Sequence, residues 1–113
     1  MPFIDARLTL PVSPDQKEAL KTAFGQAIPI LHKTETYLMV QISGGCDLWM
    51  AGRKLEQGAY VSVSLFGSAA PADCDAMTAR ICEILHQQLG IPGSAVYVTY
   101  HPVSDWGWNG SNF

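Results

Sequence analysis

Two stretches of the chain alternate between apolar and polar residues with a period of two. This alternation predicts two strands that each bury one face. Shorter apolar segments predict three further strands, and the pattern does not indicate how the second of these is paired. The alternating stretches are Phe3–Leu10 and Ala59–Phe66, and the shorter segments are Tyr37–Ile42, Leu48–Ala51 and Val96–Tyr100.

The first predicted helix begins soon after the first strand. Ser13 is a favourable N-cap, Pro14 occupies the first helical position, and Gln16 is placed to complete a capping box. Pro29 lacks a backbone N–H and is predicted to kink or end the helix before Lys33, which then lies on the connection to the next strand. The apolar stripe of this helix consists of Ala19, Leu20, Ala23, Phe24, Ala27 and Ile28.

The second predicted helix begins near Ala72, after the second alternating strand. Gly90 and Pro92 are predicted to end it, in the order that is typical of helix C-termini. Each half of the chain therefore consists of a strand, a helix and a strand with similar spacing, which indicates an internal duplication. Apolar residues recur every four positions along this helix, at Met77, Ile81, Leu85 and Leu89.

These elements predict a single α/β domain over residues 1–113. A strand-helix-strand unit places its two strands parallel in one sheet, with the helix on one face. Two β-α-β units then give a four-stranded sheet with two helices on one face, and they leave the opposite face uncovered. We expect that face to be apolar and to be covered by other copies of the chain, with three sheets forming a central barrel.

Composition excludes several classes of function. Seven Lys and Arg against ten Asp and Glu give a net charge of −3, and no basic cluster is present, so nucleic acid is not an expected partner. No apolar run reaches the length of a membrane span and no signal peptide precedes the first strand, so we expect a cytoplasmic protein. Cys46, Cys74 and Cys82 form no metal-binding or disulfide pattern. No metal or cofactor is expected.

Pro2 is the most informative candidate for chemistry. The sequence contains none of the common nucleophile, phosphate-binding or zinc-binding motifs, and His32, His86 and His101 are too scattered to suggest a site. Removal of Met1 converts the Pro2 nitrogen from an amide into a secondary amine. Apolar surroundings and a nearby cation such as Lys33 lower the pKa of such an amine and favour a neutral base. From its position alone, however, Pro2 is more simply explained by methionine processing.

Other parts of the sequence favour a catalytic role for Pro2 over simple methionine processing. The segment from Val96 to Tyr100 and the closing residues from Trp106 to Phe113, with the sequence Gly-Trp-Asn-x-Ser-x-Phe, resemble the macrophage migration inhibitory factor family of the tautomerase superfamily. The likeness extends to the first four residues, to Lys33 ahead of Tyr37, and to Leu65-Phe66-Gly67, and so covers essentially the whole chain.

The resemblance implies a homotrimer with an active site at each subunit boundary. Pro2 would be the catalytic base, Lys33 and the backbone N–H of Phe66 would hold a substrate carboxylate, and Tyr97 would reach in from the neighbouring subunit. In chemical terms, Tyr97 can serve as a hydrogen-bond donor or acid for the developing enolate. The residues implied to bind substrate are Tyr37, Leu65, Phe66, Thr99, Trp106, Trp108 and Phe113.

The implied activity is keto-enol tautomerisation of phenylpyruvate-like 2-keto or enol carboxylates. Trp106 and Thr99 depart from the best-known members and leave the size of an accepted aromatic substrate open. An alternative is a cytokine-like signalling or ligand-binding trimer with vestigial activity, which the family would allow to be released without a signal peptide. Dehalogenation or decarboxylation is less favoured, because Asp5 and Arg7 alternate away from Pro2.

Overall fold

The computed structural model describes all 113 residues, from Met1 to Phe113. Four strands form the main sheet, and four short strands form two separate hairpins. The helices are α1 (Pro14–Ala27) and α2 (Pro71–Leu89). The strands are β1 (Pro2–Leu8), β2 (Met39–Ser43), β3 (Trp49–Met50), β4 (Arg53–Lys54), β5 (Ala59–Phe66), β6 (Val96–Val103), β7 (Gly107–Trp108) and β8 (Ser111–Asn112).

The main sheet is mixed, in the order β2-β1-β5-β6. Within each half the two strands are parallel, β1 with β2 and β5 with β6, as the strand-helix-strand pattern predicts. The halves join through an antiparallel pairing of β1 with β5, in which Pro2 lies opposite Leu65 and Leu8 lies opposite Ala59. The predicted α/β architecture of two β-α-β units is confirmed.

Local sequence signals set the helix boundaries. Ser13 and Gln16 form the predicted capping box, with the Ser13 hydroxyl accepting from the Gln16 N–H at 3.1 Å and Gln16 Oε1 accepting from the Ser13 N–H at 2.8 Å. α1 ends at Ala27, and a 3₁₀ turn containing Pro29 follows. α2 ends at Gly90, whose φ of 70° is the left-handed conformation that glycine adopts without strain. Neither helix has the length and apolar composition needed to cross a membrane.

One hydrophobic core lies between the sheet and the two helices. A single cluster of 19 buried residues draws on both halves of the chain, which therefore fold around a shared core. From β5 the alternate residues Ala59, Val61, Val63 and Leu65 face this core, as predicted. The stripe of α1 is buried as well, except for Ala19, which is exposed because it lies at the edge of the predicted stripe.

Several boundaries differ from the predictions. β1 ends at Leu8 rather than Leu10, and Tyr37 belongs to a 3₁₀ turn (Glu35–Tyr37) that precedes β2. The predicted short strand at Leu48–Ala51 is present as β3, and its partner is β4 in a hairpin. The hairpin of β7 and β8 was not predicted, since two-residue strands are too short to produce an alternating pattern.

The uncovered face of the sheet carries mainly polar residues, so the expectation of a broad apolar surface is wrong. The alternation that buries one side of β1 and β5 puts Asp5, Arg7, Ser62 and Ser64 on the other, and Thr99 and His101 of β6 join them. The large exposed apolar residues on this face lie on its two edge strands, Met39 on β2 and Tyr97 on β6.

Candidate functional site

A cavity of about 650 Å³ opens where β1 begins. Three parts of the chain form it: the amino terminus with the adjoining end of β5, the turn that leads into β2, and the segment after β6. Its lining is mainly apolar and includes Pro2, Tyr37, Trp106 and Trp108. The cavity therefore gives the start of the chain largely apolar surroundings while leaving one side open.

Pro2 is buried at the base of this cavity, where β1 pairs with the end of β5. Met1 precedes it, so the Pro2 nitrogen belongs to a peptide bond in this chain. The amino group next to it reports the electrostatics of the location. Burial, and secondarily the positive charge of Lys33, lower the pKa of the Met1 amino group below its ordinary value. The surroundings of the start of β1 thus shift an amine toward its neutral form.

Lys33 and the amino terminus meet at the backbone of Phe66. The Lys33 ammonium donates to the Phe66 carbonyl oxygen at 3.0 Å, and the Phe66 N–H donates to the Met1 carbonyl oxygen at 2.9 Å. Lys33 is carried there by the connection that follows Pro29. His32, just before it, adopts a left-handed conformation with a φ of 60°, and its Nε2 lies 3.2 Å from the Asp73 carboxylate of α2.

Four aromatic rings form a continuous row beside this point. Tyr37 meets Trp108 edge to face at 5.9 Å, Trp108 stacks on Phe113 at 6.1 Å, and Phe113 contacts Phe66 at 5.6 Å. The hairpin of β7 and β8 positions Trp108 and Phe113, and the Phe113 N–H closes it by donating to the Trp106 carbonyl oxygen at 3.1 Å. These rings give this side of the cavity an aromatic, apolar border that can contact a conjugated ligand.

Tyr97 and Thr99 lie outside this group in the same chain. Tyr97 pairs in register with Tyr60, five positions along β5 from Leu65, which corresponds to about 17 Å from the level of Pro2. The Tyr97 side chain is 65% exposed. Thr99 is engaged on the open face, with its hydroxyl 2.7 Å from the Tyr60 hydroxyl and 2.8 Å from His101 Nε2.

The structure thus brings most of the predicted site residues together. Pro2, Tyr37, Trp106 and Trp108 line the cavity, Lys33, Phe66 and Phe113 adjoin it through the contacts described above, and Leu65 is buried in the core opposite Pro2.

Sequence reasoning missed two hydroxyl groups that line the cavity, those of Thr36 and Ser64. Ser64 lies on the polar side of an alternating strand, and Thr36 lies in a turn that was predicted as loop. Neither position carries a motif. The only available signal was their nearness in sequence to Tyr37 and Leu65.

The cysteines and Tyr100 lie outside the cavity, in partly buried positions. The three cysteines are free and half-buried, and burial raises the pKa of the Cys82 thiol. Burial likewise raises the pKa of the Tyr100 hydroxyl, which bonds to Thr78 at 2.8 Å and to the Cys74 carbonyl oxygen at 2.9 Å. No three His, Cys, Asp or Glu side chains converge in a way that could hold a metal ion.

Known proteins resemble the chain over its full length. The family model of macrophage migration inhibitory factor (MIF) matches residues 1–113. A macrophage migration inhibitory factor homolog from Trichuris trichiura is 29% identical over 115 residues, covering 100% of both chains. The crystal structure of Leishmania major MIF2 superposes with a TM-score of 0.93 at 31% identity, covering 100% of this chain and 97% of that one.

A more distant structure shares the fold. It is described as a "Q0 fused 4-OT wild type symmetric trimer" and superposes with a TM-score of 0.82 at 21% identity, covering 97% of this chain and 94% of that one. The full-length family match, the sequence identity to the Leishmania major protein and the shared architecture agree with one another. The chain belongs to the macrophage migration inhibitory factor family.

Proposed function

We propose that the chain, once Met1 is removed, is a keto-enol tautomerase for phenylpyruvate-like 2-keto carboxylates, with the Pro2 amine as base. The observation that carries the proposal is the electrostatic character of the cavity base, where burial and Lys33 both disfavour an ammonium ion. A secondary amine at Pro2 would experience the same two influences. Its neutral form would take a proton from the carbon next to the keto group and return it to the opposite end of the enolate.

Removal of Met1 would also prepare the binding site for the substrate carboxylate. The Met1 carbonyl oxygen now accepts from the Phe66 N–H, and it departs together with Met1. A carboxylate can then accept from this N–H and lie beside the Lys33 ammonium, which is already held at the Phe66 carbonyl. One cleavage thus creates the base and frees a donor for the anion, which is the arrangement that a 2-keto acid requires.

The enolate oxygen needs a donor as well, and we assign this role to Tyr97 of a neighbouring copy in a homotrimer. Tyr97 is exposed on an edge strand and is too distant from Pro2 of its own chain. The similarity to a structure described as a symmetric trimer supports an assembly in which the edge of one sheet meets the cavity of the next. Thr99 would approach the same boundary, two positions further along β6.

The base is tested with phenylpyruvate as substrate and with protein whose intact mass shows that Met1 is absent. The processed chain should interconvert the keto and enol forms, and Pro2→Gly, which supplies a primary amine with more freedom, should lower kcat/KM by about 10²-fold or more. Circular dichroism of both proteins controls for folding. Equal rates for the two would overturn the assignment of Pro2.

The shared site is tested by mixing two impaired proteins. In a trimer assembled at random from equal amounts of Pro2→Gly and Tyr97→Phe chains, about a quarter of the sites combine an intact Pro2 with an intact neighbouring Tyr97. Unfolding and refolding the mixture should therefore restore about a quarter of the wild-type activity. No recovery, or a monomer mass by light scattering, would contradict a site built from two chains.

A further inference from the structure

The cavity extends beyond Pro2 onto the open face of the sheet. The residues Met39, Phe3 and Ser64 are paired in register across β2, β1 and β5, so they form one row, and all three line the cavity. Met39 and Phe3 are apolar, so the Ser64 hydroxyl is the polar group that this row presents. We call this surface the Ser64 row.

The Ser64 hydroxyl is free to bind a ligand. It makes no hydrogen bond within the protein, whereas several hydroxyls elsewhere in the sheet are engaged, as in the pair of Tyr60 and Thr99. Beyond the row, Ser64 pairs in register with His101 on β6, which does not line the cavity and whose Nε2 is already occupied by the Thr99 hydroxyl at 2.8 Å. A polar atom that enters this end of the cavity therefore finds an uncommitted partner at Ser64.

The register also orders the groups along β5. Phe66 offers the N–H that would hold the carboxylate, Leu65 lies opposite Pro2, and Ser64 follows on the far side. Ser64 and Phe66 are two residues apart on one strand, which separates their backbones by about 7 Å. A substrate with its carboxylate at Phe66 and its reacting carbon at Pro2 thus directs its remote end toward Ser64.

The charges near Ser64 limit which substituent at the remote end of the substrate can bind there. Ser64 is neutral, and the neighbouring row contains Asp5, whose carboxylate would repel a second anion. Arg7 is 3.4 Å from Asp5 and pairs with it, one row further away. The surroundings therefore match a neutral hydroxyl or carbonyl substituent, and they offer no counter-charge to a second carboxylate.

From this arrangement we infer that the Ser64 row is a subsite for the remote end of the substrate, where the Ser64 hydroxyl bonds a neutral oxygen substituent. The inference rests on the proposed function for its orientation, since Phe66 and Pro2 define the other two positions. The subsite makes the protein prefer an oxygen-bearing 2-keto acid over the same compound without that oxygen.

The test compares para-hydroxyphenylpyruvate with phenylpyruvate in the wild type, in Ser64→Ala and in Ser62→Ala. Ser62 is the matched control, because it lies on the same face of β5 one row away and does not line the cavity. Ser64→Ala should reduce the preference for the hydroxylated compound about 2- to 10-fold, mainly through KM. Ser62→Ala should leave it unchanged, and circular dichroism should be the same for all three proteins.

The outcomes separate this inference from the proposed function. If the wild type turns over neither compound, the tautomerase proposal fails, and titration by tryptophan fluorescence still compares the binding of the two compounds to each variant. An unchanged preference in Ser64→Ala, in turnover or in binding, overturns the subsite. A loss of preference in Thr36→Val but not in Ser64→Ala assigns the contact to the other hydroxyl of the cavity and equally overturns it.

Discussion

The two halves of the chain share one architecture and differ in how each helix is connected to the following strand. Eleven residues, 28–38, lead from α1 to β2, whereas six residues, 90–95, lead from α2 to β6. The longer connection holds Pro29, Lys33 and Tyr37, which are a helix terminator and two candidate site residues. The shorter one passes through Gly90 almost directly into the sheet.

The difference indicates how a duplicated unit becomes an asymmetric site. Because β1 and β5 are antiparallel, the beginning of β1 meets the end of β5, and the beginning of β5 lies at the other end of the sheet. A cavity of about 480 Å³ is found there too, lined by charged residues that include Asp47 and Lys54. Ala59, the counterpart of the chain start, is preceded by more chain and has no amine to offer.

The largest effect should come from removing this asymmetry at Met1. A chain that retains Met1 has an amide nitrogen at the start of β1 as well as at the start of β5, and it keeps the Phe66 N–H occupied. Its tautomerase rate should be about 10² to 10⁴ times lower than that of the processed chain. The measurement is activity and intact mass of one preparation before and after digestion with methionine aminopeptidase, and equal rates would refute it.

The shared core is examined by making the same substitution in each half. Leu20 of α1 and Leu85 of α2 are both fully buried in one cluster. Each change to Ala should lower the free energy of unfolding by about 2–5 kcal/mol, because it removes buried methyl groups and leaves a cavity. Urea denaturation should show one transition for both variants. A second transition would mean that the halves unfold separately.

A substitution of Lys33 tests whether the long connection between α1 and β2 supplies the cation that lowers the pKa of the amine. In the processed chain, Lys33→Met removes a cation that disfavours the protonated amine, so the pKa of the amine rises and the acidic limb of the pH-rate profile moves to higher pH. At neutral pH, kcat/KM should fall about 10- to 100-fold through this shift and the lost carboxylate contact. Lys17→Met, on the exposed side of α1, is the control, and a limb that does not move would show that Lys33 does not influence the base.

The smallest effect concerns the helix starts, where only α1 has a side-chain cap. Ser13→Ala should cost about 1 kcal/mol of unfolding free energy, because the Gln16 N–H loses its acceptor. Ala70 already has the extended backbone of an N-cap, so Ala70→Ser should stabilise α2 by up to about 1 kcal/mol. Thermal denaturation followed by far-ultraviolet circular dichroism measures the change in unfolding free energy for both variants on one scale. A stabilising Ser13→Ala change or a destabilising Ala70→Ser change would contradict this difference between the helix starts.

The fold was predictable because local signals coincide with global ones. The alternation of β5, the capping box at Ser13 and the glycine at position 90 each determine one element without help from the rest of the chain. Short hairpins escaped prediction because two residues carry no period. Asp5, Arg7 and Ser62 occupy the polar positions of the alternating strands and therefore indicated a polar open face. The expectation of an apolar interface between copies of the chain did not take them into account.

The candidate site was predictable where its residues belong to distinctive sequence motifs. Lys33, Tyr37 and Trp108 have distinctive side chains, and the family resemblance supplied their grouping. Ser64 and Thr36 are ordinary residues whose relevance depends on three-dimensional placement beside Pro2. Their position at the cavity follows from strand register and turn geometry, which the sequence specifies only through the fold as a whole.

The two hydrogen bonds at Phe66 have a consequence for mutational scanning. Both pass through the main chain, so replacing the phenyl ring leaves the N–H and the carbonyl oxygen in place. A library of substitutions at Phe66 should therefore report on aromatic contact with Phe113 and remain silent about anion binding. Proline is the exception, since it alone deletes the N–H. The N–H donor that we propose for the substrate carboxylate is thus retained in every other substitution at Phe66.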